Sequence, residues 1–180
     1  MRIIAGTHKR RKLKGLELSH TRPTKDRVKE SIFNMLSTSL DKTHVLDLFA
    51  GSGALGLEAL SRGVKRATFV DHDQTAQKVI KDNLDALDLK NRATVRCEKA
   101  LDFLAQNETV FDLVMLDPPY NQGLIPQVLD KLSVASYLSD DVIIVILSEK
   151  NLSLKAYETL KVVKDKTIGI TKVMFLKKEA

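Results

Sequence analysis

Cysteine is nearly absent from this 180-residue chain: Cys97 is the only one. No intrachain disulfide can form, no cysteine-based zinc site is expected, and a reducing, cytoplasmic setting is the default. Long apolar runs are missing as well. The longest, Val142 to Leu147, falls far short of the roughly 20 residues a membrane-spanning helix needs, so no membrane partner is expected. The start, Met1 to Gly6, carries no apolar signal segment, and export is not expected. His8, His20, His44 and His72 lack metal-ligand spacing, and no Ser-His-Asp arrangement suggests itself, so neither a metal site nor covalent catalysis is called for. The hydrophobic fraction of 43% and charged fraction of 29% are those of an ordinary folded protein, which excludes collagen-like, disordered and disulfide-scaffold chains. The length suits one domain with at most a small appendage.

What the chain does have is a lopsided charge. The net charge is +6. Residues 1–40 hold ten Lys/Arg against three acids, an excess of seven, so the remaining 140 residues sum to −1. The whole basic surplus therefore lies at the N-terminal end. A solvated tail is the bland explanation; an anion-binding surface for nucleic acid is the sharper one. On the second reading the contacts to substrate phosphates are Arg10, Arg11, Lys12, Lys14, Arg22 and Arg27. Arg10, Arg11, Lys12 and Lys14 are too polar and too close together to form a core, which leaves solvation or anion binding as their roles.

Residues 1–20 read as a basic extension of short extended pieces, as in a hairpin, and residues 21–180 as one domain. Thr24 can cap a helix whose first turn holds Asp26 and whose apolar face is Val28, Ile32, Phe33 and Leu36. Strands then alternate with helices. Val45 to Phe49, Ala67 to Val70, Ala93 to Cys97, Phe111 to Leu116 and Val142 to Leu147 read as strands, with Lys161 to Val163 and Val173 to Leu176 as two more at the end. Helices follow the first four strands, one of them with Ala76, Val79, Ile80, Leu84 and Leu87 on one side. This alternation predicts an α/β, Rossmann-like fold: a mostly parallel sheet with helices on both faces. Ligands bind such sheets beyond the C-terminal strand ends, which gathers the residues after Phe49, Val70 and Leu116 around one crevice.

Gly51-Ser52-Gly53-Ala54-Leu55-Gly56 is a literal G-x-G-x-x-G between a strand and a helix, and Asp71 ends the next strand twenty residues after Gly51. Phe49, Gly51, Gly53 and Gly56 would form a loop that a ligand approaches closely, and Asp71 can accept both hydroxyls of a ribose. The motif alone does not separate a dinucleotide from another adenosine-containing cofactor. Asp47, inside the first strand, does: a carboxylate is unwelcome beside a pyrophosphate and suits the ammonium and sulfonium of S-adenosylmethionine. His72 beside Asp71 would line the same pocket, and Cys97, ending the third strand, reads as a buried small hydrophobe on the cofactor side. Directly after the fourth strand stands Asp117-Pro118-Pro119-Tyr120. The two prolines have no donor N–H and stiffen the chain, so the Asp117 carboxylate and the Pro118 carbonyl make a rigid acceptor pair for a planar –NH2 group. Tyr120 offers a ring for a base to stack on.

Asp47 to Gly53 together with Asp117 to Tyr120 resemble the Rossmann-like S-adenosylmethionine-dependent methyltransferases that act on exocyclic amines of nucleic-acid bases. Met1 to Gly6 and Thr21-Arg22-Pro23-Thr24-Lys25-Asp26-Arg27-Val28-Lys29-Glu30-Ser31-Ile32-Phe33-Asn34 resemble the opening of the bacterial RsmD family. That resemblance implies methylation of the N2 of a guanine in small-subunit (16S) ribosomal RNA, free or within the assembling ribosomal subunit. The chain departs from the family's pattern in four places. Arg10 or Arg11 stands where a glycine is usual, and Arg96 to Ala100 lacks an acid-Ala pair. Ile146 occupies the place of a glutamate, and Ile168 precedes Gly169-Ile170-Thr171 where tyrosine is usual.

Three other functions compete. Adenine-N6 methylation of nucleic acid shares the Asp-Pro-Pro-Tyr motif, although recognition domains in the DNA enzymes are large and this chain has no length to spare. A nicotinamide oxidoreductase is disfavoured by Asp47 and by Asp117 to Tyr120. A non-catalytic RNA-binding assembly factor on the same fold is kept alive by the four departures.

Overall fold

The computed structural model describes residues 1–16, 26–36, 40, 43–120 and 122–179. The expected cap Thr24 and the expected RNA contact Arg22 lie outside them.

Val45-Leu46-Asp47-Leu48 is apolar except at one position, and it forms the buried central strand β1 (His44–Leu48). A strand buried on both faces belongs in the middle of a parallel sheet. Around it lie β2 (Arg66–Asp71), β3 (Ala93–Cys97), β4 (Phe111–Leu116), β5 (Leu138–Glu149), β6 (Leu160–Ile168) and β7 (Thr171–Lys178), in the order β3-β2-β1-β4-β5-β7-β6. The first five are parallel; β7 runs antiparallel to β5 and to β6. The helices are α1 (Asp26–Leu36), α2 (Ala54–Ser61), α3 (Gln74–Ala86), α4 (Ala100–Gln106) and α5 (Leu124–Leu132). Strand order reverses at β1, which has β2 on one side and β4 on the other, so the crevice opens at the C-terminal ends of these strands.

Successive residues of β1 point to opposite faces. Val45 joins the core shared with α1, α2 and α3, whereas Leu46 and Leu48 join the core shared with α4 and α5. Asp47, in phase with Val45, is thereby aimed at α2. Among the described residues no helix is long and apolar enough to cross a membrane.

The N-terminal residues form a hairpin, bridged between Arg2 and Lys12, with Ile3 donating to the Arg11 carbonyl and Arg10 to that of Ile3. Its Ile3 and Leu13 are buried in the same core as α1 to α3. Arg10 lies at the turn with a φ of 71°, a left-handed conformation that glycine adopts at no steric cost.

Two strands differ in extent from the sequence reading. β5 begins at Leu138, because a register shift lets Phe111 pair with Leu138 before the regular ladder from Leu113 to Ile143 begins. β6 runs to Ile168 although Lys161 to Thr167 are all exposed. An edge strand paired on one side only needs no buried face, so it leaves no alternating apolar signal beyond Lys161 to Val163.

Candidate active site

The crevice is built from three strand ends. β1 leaves the sheet at Phe49, whose φ of 64° bends the chain into the glycine loop. Ala50 donates to the Val70 carbonyl at 3.0 Å, and Gly53 caps α2. Behind the loop Asp47 is buried, and its Oδ2 accepts the N–H of Gly56 at 2.8 Å. Gly56 is the third residue of α2, one of the helix-terminal N–H groups that no carbonyl of the helix can satisfy. The site needs glycine for a second reason. A Cβ on Gly56 would lie 2.3 Å from Cε1 of Phe69 and 3.1 Å from the Asp47 carboxylate. Burial pushes the Asp47 carboxyl up to about 8, and the negative charges of Asp117 and Asp71 push in the same direction. Asp47 on β1, Asp71 at the end of β2 and Asp117 directly after β4 thus belong to three adjacent strands whose C-terminal ends flank the crevice.

Asp71 holds the loop as well as facing the crevice. Its Oδ2 accepts from the Gly51 N–H at 2.8 Å and its Oδ1 from the Asp73 N–H at 3.0 Å. A carboxylate has about four lone-pair sites, so acceptor capacity remains for a ribose. Asp73 in turn caps α3 by accepting from the Thr75 N–H. His72 is largely exposed, its Nδ1 3.6 Å from Asp71 Oδ1. Cys97 pairs in register with Asp71 across β2 and β3, and its Sγ lies 3.7 Å from the His72 carbonyl. Cys97 is exposed, not buried as the sequence suggested. β3 is the outer strand of the parallel half, paired on one side only in the described sheet, and its C-terminal residues Arg96 and Cys97 are exposed.

On the other side of β1, Asp117 is half-buried, Pro118 buried, Pro119 exposed and Tyr120 half-buried. The Tyr120 hydroxyl lies 3.4 Å from Oγ1 of Thr171, which starts β7. The turn Ile168 to Thr171 therefore sits at the mouth of the crevice, and half-exposed Ile170 is its apolar tip. Among the described residues no group of three His, Cys, Asp or Glu side chains is arranged to hold a metal ion.

The basic cluster is not a uniform free surface. Arg10 and Lys12 are exposed on the hairpin and Arg27 is exposed on α1. Arg11 instead donates to the Ala86 carbonyl at 2.6 Å, and Lys14 pairs with Asp82 at 2.9 Å. Arg2 pairs with Asp26. Besides solvation and anion binding, Arg11 and Lys14 therefore have a third role, intramolecular pairing to α3, open because the hairpin folds back along that helix. Lys29, counted in the basic surplus, is fully buried.

Sequence reasoning missed the group that holds Lys29. Glu58, fully buried on α2, accepts from the N–H groups of Ile4 and Ala5 at 2.8 and 3.0 Å and from Arg62 Nε at 2.7 Å, with Lys29 Nζ at 3.3 Å. Ser61 completes the anchor, donating to the Ala5 carbonyl and accepting from the His8 N–H. A Cβ on Gly6 would fall 1.9 Å from the Ser61 carbonyl oxygen, so the chain passes α2 at backbone contact. The signal was present: a lone acid in Ala-Leu-Gly-Leu-Glu-Ala-Leu, a helix with no polar face. Asn83 was missed too, a polar residue on the apolar stripe of α3 between Ile80 and Leu84.

The family model described as Conserved hypothetical protein 95 matches residues 1–177. Ribosomal RNA small subunit methyltransferase D of Haemophilus influenzae is 42% identical over 173 residues, 94% of this chain and 90% of that one. The Escherichia coli K12 protein of the same name is 40% identical over 149 residues, 83% of this chain and 75% of its own length. The solved structure of the yhhF protein of Escherichia coli superposes with a TM-score of 0.90 at 34% identity, covering 99% of this chain and 98% of that one. With a matching family model over nearly its whole length and two such relatives, this chain belongs to the family of ribosomal RNA small subunit methyltransferase D.

Proposed function

We propose that this protein transfers a methyl group from S-adenosylmethionine to the exocyclic N2 of a guanine in small-subunit ribosomal RNA. The observation that carries the reading is the placement of Asp47 on β1, Asp71 at the end of β2 and Asp117 directly after β4, around the crevice at the C-terminal ends of three adjacent strands. Such a crevice disfavours a diphosphate and fits a ligand with an ammonium and a sulfonium. When bound, S-adenosylmethionine supplies an electrophilic methyl carbon. Asp47 favours the ammonium end and holds the α2 terminus in place. Asp71 accepts from the ribose hydroxyls while pinning Gly51. Asp117 and the Pro118 carbonyl hold the two hydrogens of the target amine, and the Asp117 charge favours the positive charge that develops on its nitrogen. Tyr120 stacks on the base, which has left its own stack to reach the pocket. His72 and Cys97 line the adenine side.

Residues 1–20 act in this reading as a phosphate-gripping extension of the methyltransferase domain over 21–180, with Arg10 and Lys12 as its outward cations, joined by Arg27 on α1 and by Arg22, which lies beyond the described residues. The setting is cytoplasmic, where ribosomal subunits assemble. The four departures from the family's pattern lie mostly outside the chemical core: the one at Arg96 to Ala100 bears on the contact to the cofactor adenine, the others on substrate handling.

The test is incubation with labelled S-adenosylmethionine and either naked small-subunit RNA or assembled subunits, followed by nucleoside analysis. N2-methylguanosine is expected, and Asp117→Ala should lose it while binding S-adenosylhomocysteine within a few fold of wild type. N6-methyladenosine instead would move the target to adenine. Cofactor binding with no transfer to either substrate would favour the assembly-factor reading.

A further inference from the structure

We infer that Asn83 is a positioning residue that couples the basic hairpin to the glycine loop, so that cofactor binding and RNA binding reinforce each other. The RNA half of this statement rests on the function proposed above.

Asn83 is buried on α3, and both the oxygen and the nitrogen of its amide are engaged, with two segments between them. Its Oδ1 accepts the Lys14 N–H at 2.8 Å and its Nδ2 donates to the Lys14 carbonyl at 3.1 Å. One side-chain amide thus replaces the strand that would otherwise pair with Lys14. The same Nδ2 donates to the carbonyl of Ser52 at 3.2 Å, in the middle of Gly51-Ser52-Gly53. Lys14 and Ser52 have no direct link to each other in this arrangement; they share Asn83. Two other contacts bring the same parts together. The Ser52 hydroxyl lies 3.5 Å from Met1 Sδ, and Leu16 Cδ1 is the nearest atom, at 3.9 Å, to where a Gly51 Cβ would be.

A buried amide with three partners has one low-energy orientation, because any rotation strands a buried donor or acceptor. A ligand that settles the glycine loop settles Ser52, then the amide, then the backbone of Lys14. An RNA that holds the hairpin acts on the same amide from the other end. Energetic coupling between two sites is reciprocal, so each ligand should tighten the other by the same factor.

The test uses the full chain, S-adenosylhomocysteine as cofactor probe and a transcript of small-subunit ribosomal RNA. In wild type the transcript should tighten S-adenosylhomocysteine about fivefold or more, the low end of ordinary coupling. Asn83→Asp keeps the acceptor for the Lys14 N–H but turns an oxygen toward the carbonyls of Lys14 and Ser52; the tightening should fall to about onefold, meaning none. Leu87→Ala, a core truncation at the C-cap of the same helix, should lower the melting temperature and keep the tightening, which separates coupling from stability. A second measurement needs no RNA. Saturating S-adenosylhomocysteine should slow hydrogen exchange of the Lys14 N–H in wild type, and this response should vanish in Asn83→Asp. Should the transcript fail to bind while the exchange response appears, the RNA reading falls and the link through Asn83 stands. Unchanged Lys14 exchange in wild type, or full tightening retained in Asn83→Asp, overturns the link itself.

Discussion

The carboxylate of Asp47 and the N–H of Gly56 meet at 2.8 Å, and that bond ties β1 to the start of α2. Asp47 belongs to β1 and Gly56 to the first turn of α2, with Phe69 of β2 packed against both. A single methyl group tests the fit. Gly56→Ala places a Cβ against the Phe69 ring and 3.1 Å from the carboxylate. Overpacking of this kind costs about 1–3 kcal/mol. Denaturant unfolding should show that loss, and S-adenosylhomocysteine titration should show weaker binding in the fraction that remains folded.

The titration of Asp47 gives a signed pH dependence. Its folded value of about 8 lies above the ordinary 3.8, chiefly through burial. Between those values the folded state binds a proton that the unfolded state has released, so Asp47 withdraws stability as pH rises through this window and no further above it. Cofactor binding should run the other way, because a cationic ligand favours the ionised carboxylate. Affinity for S-adenosylhomocysteine, which keeps the ammonium, should rise from pH 6 to 8 with release of a proton, read by calorimetry in buffers of different ionisation enthalpy. Asp47→Asn, which can still accept from Gly56, should flatten both profiles. An affinity that is flat in wild type would remove Asp47 from the cation's environment.

In the proposed site Asp71 carries two roles, holding the loop and accepting the ribose, that two substitutions separate. Asp71→Ala loses the ribose acceptor and also releases the N–H groups of Gly51 and Asp73. Loss of a charged acceptor costs about 1.5–3 kcal/mol, and cofactor affinity should fall by at least that much. Asp71→Asn keeps one oxygen for the loop and should lose less. Equal losses in the two variants would mean that the charge, rather than the loop, governs binding; unchanged affinity in both would place the ribose elsewhere.

Removal of Arg10 and Lys12 should weaken RNA binding strongly at low salt and less at high salt. For every phosphate that goes unpaired, the slope of log affinity against log salt should flatten by about 0.7 to 0.9. Arg11 and Lys14 are poor choices for this test, because both also fasten the hairpin to α3. Arg10→Gly adds a control: it removes the charge and relieves a left-handed backbone, so it should raise stability by up to about 1 kcal/mol while lowering RNA affinity. Parallel salt slopes for wild type and the double variant would identify the hairpin's outward cations as solvated.

Glu58→Gln should be among the most damaging single-atom-scale changes in the chain. It leaves Lys29 buried without its carboxylate, and breaking a buried pair costs about 3–5 kcal/mol. The loss should appear as a lowered melting temperature with early exposure of Ile4 and Ala5 to hydrogen exchange. Exchange at these two N–H groups unchanged from wild type would show that Ser61 alone suffices as the anchor.

The elements with local signals were legible in the amino-acid order. Val45 to Leu48 is apolar except at Asp47 and reads as a central strand, and the glycines at 51, 53 and 56 follow it where a helix starts close to a strand. Asp117-Pro118-Pro119-Tyr120 needed no tertiary information either, since prolines constrain their own backbone. Long-range contacts decided the rest. A carboxylate such as Glu58 looks the same in sequence whether it faces water or a buried lysine from another helix, and only the return of residues 4–8 along α2 made it an anchor. Lys29, Arg11 and Lys14 counted equally in the charge sum, yet one is buried and two are tied to partners more than 65 positions away. Cys97 could be judged buried from its residue type but not from its place, because edge position is a property of the sheet order. The antiparallel turn of β7 between β5 and β6, which brings Thr171 to Tyr120, likewise follows from which strands remain unpaired once the parallel half has closed its register.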